Sequence, residues 1–216
     1  MSSMILIVFL QWKLIQTQPT CEFLSESKSA VGGPEWFQTF WEPCVNCCNK
    51  TRVGKAGDGG KWLCASKMPP TPALMSIGSN NDFSFEIDFK RRFRPRSIDV
   101  YDHTSEAHYD REIQFHKLKM HERLLRYELK RLNAVDVLKV DCEGCELELF
   151  SANVLKTLYH MNTQIQLEVH WRFLGQIGLV TLWKRMSEAG YGPYHKEPNI
   201  QYSDGSCVEY AFAPIR

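Results

Sequence analysis

A long hydrophobic run is missing from this chain of 216 residues. Its N-terminal apolar stretch, Met4–Leu10, falls far short of the roughly 20 residues that a membrane-spanning helix needs, so no stable membrane span is expected. A strong charge of either sign is missing too. Lys and Arg number 26 against 25 Asp and Glu, a formal net charge of +1 that offers no general pull on nucleic acid or acidic membranes. The N-terminal cysteines lack a zinc module's second pair. Cys44 and Cys47 have C-x2-C spacing, but no further C-x2-C or H-x3-H pair completes a tetrahedral set with them, and no metal site is expected. Internal repeats and low-complexity tracts are absent as well. What remains is an ordinary globular composition, 44% hydrophobic and 24% charged, and enough length for the core of one α/β domain.

Met4–Leu10 has the size of a signal-peptide core, although the residues before it include no Lys or Arg and no A-x-A site follows. We read residues 1–33 as a leader and linker with a possible signal, a cytosolic or fragmentary N-terminus being the alternative. Residues 34–72 read as a cap and connector. They carry Trp36, Phe37, Phe40, Trp41 and Trp62, four of the eight cysteines (Cys44, Cys47, Cys48, Cys64, with Cys21 nearby), and Met68-Pro69-Pro70-Thr71-Pro72. Too little regular pattern is present for this segment to fold alone. Cysteine crowding and the sequon Asn49-Lys50-Thr51 favour disulfides and an oxidising, secretory compartment over a cytoplasmic one.

From residue 73 to 216 strands and helices alternate, the pattern of an α/β domain. Strands are expected near 74–78, 97–102, 113–116, 135–141, 163–170, 191–196 and 206–213. Residues 83–93 are ambiguous: Phe83, Phe85, Ile87 and Phe89 alternate like a strand, whereas Phe85, Phe89 and Phe93 keep helical spacing. We assign a helix, because Asp82 can cap it and parallel strands need a crossover. Further helices fit the stripes Leu118–Leu132 and Leu179–Met186, and one from Cys145 that is re-capped near Ser151–Asn153. The cluster Lys90, Arg91, Arg92, Arg94 and Arg96 reads as a solvated helix end. It lacks the aromatic interleaving of a nucleic-acid surface.

The densest chemistry lies in Val135–Glu146. An apolar run ends in Asp141, and Glu143 and Glu146 flank Gly144. A buried parallel strand looks like this when it delivers a carboxylate to the carboxyl edge of an open sheet, where such sheets bind ligands. Lys139-Val140-Asp141-Cys142-Glu143-Gly144-Cys145-Glu146 resembles the K-[VI]-D-x-E-G-x-E segment of FkbM-type S-adenosylmethionine-dependent methyltransferases and of related animal methyltransferase-like domain proteins. Ser76–Glu86 resembles their first nucleotide loop. Gly57–Cys64 resembles a D-G-G-[KY]-W-x-C block, Leu167–His170 a fifth-strand L-x-E-[VIL]-H, and Cys207–Phe212 their closing strand. These segments come in the family's order over roughly residues 35–214.

The resemblance implies a Rossmann-like doubly wound, mostly parallel sheet with an antiparallel C-terminal strand and a small Cys-rich cap. It further implies a methyltransferase using S-adenosyl-L-methionine, with a hydroxyl of a small molecule or glycan as acceptor. A catalytically inactive secreted binding module on the same scaffold is the alternative. In this reading Gly78, Asn80, Asp82 and Asp102 bind the cofactor, Gly78 supplying backbone room and Asp102 the ribose carboxylate. Asp102 also reads as a plain turn residue. The loop is glycine-poor for its role, and Asn80 or Asn81 is expected to take the left-handed conformation instead. Asp141 and His170 are the catalytic candidates, Asp141 as acceptor-orienting group, contact for the cofactor's charged methionyl end, or base, and His170 as general base. Their plainer readings are a helix cap and a structural histidine. Cys142 and Cys145 are expected as buried structural thiols, with a redox pair as the alternative. Cys64 is expected to pair with Cys44, Cys47 or Cys48, Cys44 first among them.

Overall fold

The structure is a computed structural model and describes residues 41–106, 110–199 and 207–215. Two strands, β1 (Lys50–Val53) and β2 (Lys61–Cys64), form an antiparallel hairpin. The main sheet contains β3 (Ala73–Ile77), β4 (Ser97–Tyr101), β5 (Gln114–His116), β6 (Val137–Val140), β7 (Gln164–His170), β8 (Tyr191–Pro198) and β9 (Cys207–Pro214). Its order is β5-β4-β3-β6-β7-β9-β8. Every pairing from β5 to β7 is parallel, and β9 runs antiparallel between β7 and β8. This is the expected Rossmann-like, doubly wound sheet with its antiparallel C-terminal strand, and β3 and β6 meet where the strand order reverses.

The helices are α1 (Ser84–Phe93), α2 (Glu122–Leu132), α3 (Glu146–Leu149), α4 (Ala152–Met161) and α5 (Trp171–Glu188). The ambiguous stretch is helical. Asp82 Oδ1 accepts from Ser84 N at 3.0 Å, and Arg94 ends α1 in the left-handed region. Ser151 Oγ accepts from Val154 N at 3.3 Å and starts α4, the expected re-capping. Asn133 and Asn162 close α2 and α4 at positive φ, where Asn is among the better-tolerated residues.

The two faces of the sheet differ. One is apolar throughout. Met75, Ile77, Leu138, Val140, Ile165, Leu167 and Val169 pack there against Leu125, Leu149, Leu155, Leu158 and Trp183 of α2 to α5. The other face divides. Leu74, Ile98, Val100 and Val137 meet Phe85 and Phe89 of α1, together with Val53 and Leu63 of the hairpin. Farther along, β7 and β9 present Gln164, Gln166, Glu168, His170, Cys207 and Glu209, all buried. The polar half of the alternation in β7 therefore faces protein. Gln164 exchanges hydrogen bonds of 2.9 Å with Cys64 N and Cys64 O, acting as a partner strand for β2. Tyr194 Oη donates to Trp62 O and accepts from Gln166 Nε2.

The cap therefore has regular structure that the sequence pattern did not suggest. Trp41 is fully buried and packs at 5.3 Å on Trp183 and 5.4 Å on Phe212. Cys64 is bonded to Cys47, not to Cys44 as first expected. The hairpin sets this pairing: Lys50 opposes Cys64, which brings Cys47 within reach, whereas Cys44 N is drawn to Pro193 O on β8. Cys44 is itself disulfide-bonded. Trp36, Phe37, Phe40, Cys21, the apolar run at 4–10 and the turn at Ser203–Gly205 lie outside the described residues.

Candidate functional site

At the end of β3 the chain turns sharply at Gly78, whose φ is +81°. A side chain there would overlap the carbonyl oxygen of Asp141, so only glycine lets the ends of β3 and β6 approach this closely. Lys139 Nζ donates to Gly78 O at 2.5 Å and fixes the turn. Asn80 and Asn81 take φ of 46° and 61°, the left-handed conformation that two further glycines would otherwise supply.

Asp102 lies beneath this loop. Its Oδ2 accepts from Ser79 N at 2.7 Å, Asn80 N at 3.0 Å, Ser79 Oγ at 3.1 Å and Ser105 Oγ at 2.7 Å. Its Oδ1 accepts from Thr104 N, Thr104 Oγ1 and Ser105 N. Burial opposes ionisation, but these donors outweigh it and hold the carboxyl well below the usual range. Both oxygens are thus occupied in shaping the loop, with the residue only 5% exposed. Asp82 sits at the start of α1 and forms an ion pair of 2.7 Å with Lys55 from the hairpin turn. Gly59 of the same turn packs so near Asp82 that a side chain would collide with its carboxylate.

Lys61 occupies the polar half of the sheet face. Its side chain is 1% exposed, with Nζ 3.5 Å from Asp141, 3.4 Å from Glu168 and in a short contact with Glu209. Burial works against its charge, yet the three carboxylates prevail and raise its pKa. Glu168 responds the other way. Burial and the neighbouring Glu209 charge outweigh Lys61 and push it up to about 8. Burial likewise pushes Glu209 up. Asp141, whose side chain is 24% exposed, resists the same burial because Lys61 and Lys139 pull it down to about 2. It is therefore the ionised carboxylate of the group, placed beside Gly78.

His170 ends β7. Its Nδ1 lies 2.7 Å from Oε1 of the buried Glu146 at the start of α3, and the same oxygen accepts from His170 N at 3.3 Å. Burial favours the neutral ring, but its bonds to Cys207 and Glu146 overcome this and push it up to about 11. Such a ring is a cation at neutral pH, which does not suit the general-base role expected of it. Cys142 and Cys145, expected as buried thiols, form a disulfide across the loop after Asp141 and are only partly buried. Their Cα separation of 5.6 Å is the ordinary value for such a bond.

Gly78, Asn80, Asp82, Asp102 and Asp141 thus gather at one carboxyl edge, as the sequence implied. His170 stands on the neighbouring strand end, over Glu146. Sequence reasoning missed Lys61, Glu146 and Glu209 as parts of this site. The available signal was slight: one acidic residue within each of two otherwise uncharged apolar-patterned segments, Glu168 and Glu209.

No curated protein sequence matches the chain. Among solved structures it resembles a putative hemolysin from Streptococcus thermophilus, with 11% identity and a TM-score of 0.45, over 66% of this chain and 58% of that one. It also resembles the Methanococcus jannaschii fibrillarin pre-rRNA processing protein, with 10% identity and a TM-score of 0.46, over 79% and 84%. A third is the Burkholderia thailandensis 1,6-didemethyltoxoflavin-N1-methyltransferase, with 10% identity and a TM-score of 0.40, over 67% and 71%. The chain therefore spans less than two thirds of the hemolysin's length. A family model described as a methyltransferase domain matches residues 11–127 and 117–214, and the protein belongs to that family.

Proposed function

We propose that this methyltransferase uses S-adenosyl-L-methionine to methylate an oxygen of a small molecule or glycan. The observation that carries the proposal is Asp141: an ionised, partly exposed carboxylate beside the Gly78 turn, at the point where the strand order reverses. That donor carries an electrophilic methyl group on a sulfonium centre. The residues fit it in this respect, since a fixed negative charge suits a cationic ligand and the left-handed Asn80–Asn81 loop leaves both asparagines exposed. Asp102 acts indirectly, holding the loop in its receptive shape. Asp141 orients the acceptor and is the remaining proton-accepting candidate, although a carboxylate this acidic is a weak base. Its main contribution is then positioning.

The test is calorimetric titration of the full chain with S-adenosylmethionine and S-adenosylhomocysteine. Binding of both to wild type is expected, with weaker binding and at least about 100-fold slower turnover in Asp141→Asn. No heat from either ligand with folded protein would refute the assignment. Two observations favour the second reading, a binding module without turnover: His170 is held as a cation and Asp102 is fully engaged. Donor binding without transfer to any hydroxyl acceptor would select it.

The described disulfides fit an oxidising compartment, and among the described residues no helix is long and apolar enough to cross a membrane. We place the protein in the secretory pathway, with Asn49, exposed beside the hairpin, as a glycan acceptor. A glycosidase-sensitive mass shift that disappears in Asn49→Gln checks this. Unmodified Asn49 in protein recovered from the secretory pathway would refute the glycan assignment.

A further inference from the structure

The polar face of β7 and β9 presents four side chains in a square. Glu168 stands opposite Glu209, and His170 opposite Cys207. Lys61 lies over the first pair and supplies its counter-charge. The second pair receives no cation from the hairpin. Its three nearest donors differ in kind: a carboxylate oxygen of Glu168, an imidazole nitrogen of His170 and the Cys207 thiol, all within 4.8 Å of one another. The residues are buried, at 3%, 4% and 6% exposure.

We propose that Glu168, His170 and Cys207 form a zinc site with one coordination position left for water or an acceptor oxygen. Three features carry this. First, the donor set of oxygen, nitrogen and sulfur suits zinc and is poorly matched to magnesium or calcium, which take oxygen ligands. Three protein ligands with an open fourth position are the arrangement of catalytic zinc sites. Second, the geometry is close. A triangle with sides of at most 4.8 Å has its centre within about 2.8 Å of each corner, so small side-chain rotations reach the ~2.0–2.3 Å of zinc–ligand bonds. Third, the histidine is already oriented. Its Nδ1 is engaged by Glu146 at 2.7 Å, the usual carboxylate support behind a ligating histidine, and a metal would replace the ring's hydrogen bond to Cys207 with release of the ring and thiol protons. Glu146 Oε2 has no hydrogen-bond partner among the described residues, so no second donor draws the carboxyl away from His170.

Asp58, Glu168 and Glu209 also approach one another, but that group shares Glu168 with the first, and no second metal is assigned. The zinc site itself stands apart from methyl transfer. Only its use in acidifying an acceptor hydroxyl, which would relieve the demand for a strong base, rests on the proposed function.

The experiment is metal titration of the full, disulfide-intact chain after chelator treatment, with cobalt(II) as a spectroscopic probe for zinc. One equivalent of cobalt should bind, giving visible bands of a four-coordinate ion and a near-ultraviolet thiolate-to-cobalt charge-transfer band, and zinc should displace it. Cys207→Ser should lose the charge-transfer band, whereas Cys48→Ser, at the exposed thiol, should keep it. Glu146→Gln should bind cobalt about 10–100-fold more weakly without losing the band. Circular dichroism of each variant checks its fold. If Cys207→Ser does not fold, His170→Gln reads the same site through loss of stoichiometric binding. Wild type without stoichiometric cobalt, or a charge-transfer band that survives in folded Cys207→Ser, overturns the site. Metal bound in wild type with no S-adenosylmethionine binding would leave the zinc assignment standing and remove the methyltransferase reading.

Discussion

At the β3–β4 end of the sheet, the carboxylate of Asp102 is buried with no cation beside it among the described residues and is stabilised by backbone and hydroxyl donors of two loops. At the β6–β7–β9 end, three carboxylates gather around the single ammonium of Lys61. The first arrangement spreads one charge over many dipoles and tolerates loss of any one of them. The second concentrates several like charges on one counter-ion. It keeps Asp141 ionised while driving Glu168 and Glu209 towards their protonated forms. One end is built for a fixed loop shape, the other for a tuned charge.

The largest effect should come from the counter-ion. Lys61→Met removes the nearest cation from three carboxylates, and breaking a buried pair from one side costs about 3–5 kcal/mol. Denaturant unfolding should show that loss, bounded by protonation of the freed carboxylates. A cost below about 1 kcal/mol would show that the cluster does not depend on Lys61.

Next comes Asp102→Asn, expected to cost about 3 kcal/mol, because hydrogen bonds to a charged acceptor are the strong ones and the amide turns an acceptor into a donor facing donors. Its pH signature is specific. The folded carboxyl titrates below its unfolded value, so its stabilisation is fully present above about pH 4 and is lost as pH falls towards the folded pKa. Acid unfolding followed by circular dichroism should lose part of its slope below about pH 4 in the variant. An unchanged acid limb would mean that Asp102 is not held ionised.

How legible each end was in the sequence follows from the same contrast. The strand positions, the helix at Ser84–Phe93 and the re-capping at Ser151 could be read because apolar period and capping chemistry are local. The positions of Gly78, Asp102 and Asp141 were legible because strand ends and the family resemblance place them. That Asn80 or Asn81 stands in for glycine was legible from the resemblance together with asparagine's tolerance of positive φ, and both do so. Lys61 was not, because its partners come from β6, β7 and β9 and no local pattern links them. The alternation in β7 does not say what covers its polar face. The hairpin covers it, and it is too short to announce itself by period. The choice of Cys47 over Cys44 likewise depends on the register of β1 against β2, which spacing does not encode.

The loop between the two ends offers a smaller test. Cys142–Cys145 closes only a few residues, so replacing both by serine should cost about 2 kcal/mol in the chain-entropy model. Because Cys142 follows Asp141 directly, donor affinity measured by calorimetry should fall with it. Loss of stability with unchanged affinity would confine the disulfide to a structural role.

The smallest effect should fall on the crowded side of the comparison. Glu209→Gln removes a carboxylate whose ionisation is already opposed by burial and by the Asp141 charge. The amide oxygen can still accept from Lys61, while repulsion with Glu168 disappears. Lys61 then divides its charge between two carboxylates, so Glu168 should ionise more readily and Asp141 should stay ionised. A change of under about 1 kcal/mol is expected in denaturant unfolding, with stabilisation allowed, as for buried ion pairs replaced by less charged groups. The contrast with Asp102→Asn is then the measurement that matters. The same carboxylate-to-amide change should be costly where donors surround the group and nearly neutral where carboxylates do. Equal costs at the two positions would show that Glu209 is a required partner of Lys61 and that the cluster carries no surplus negative charge.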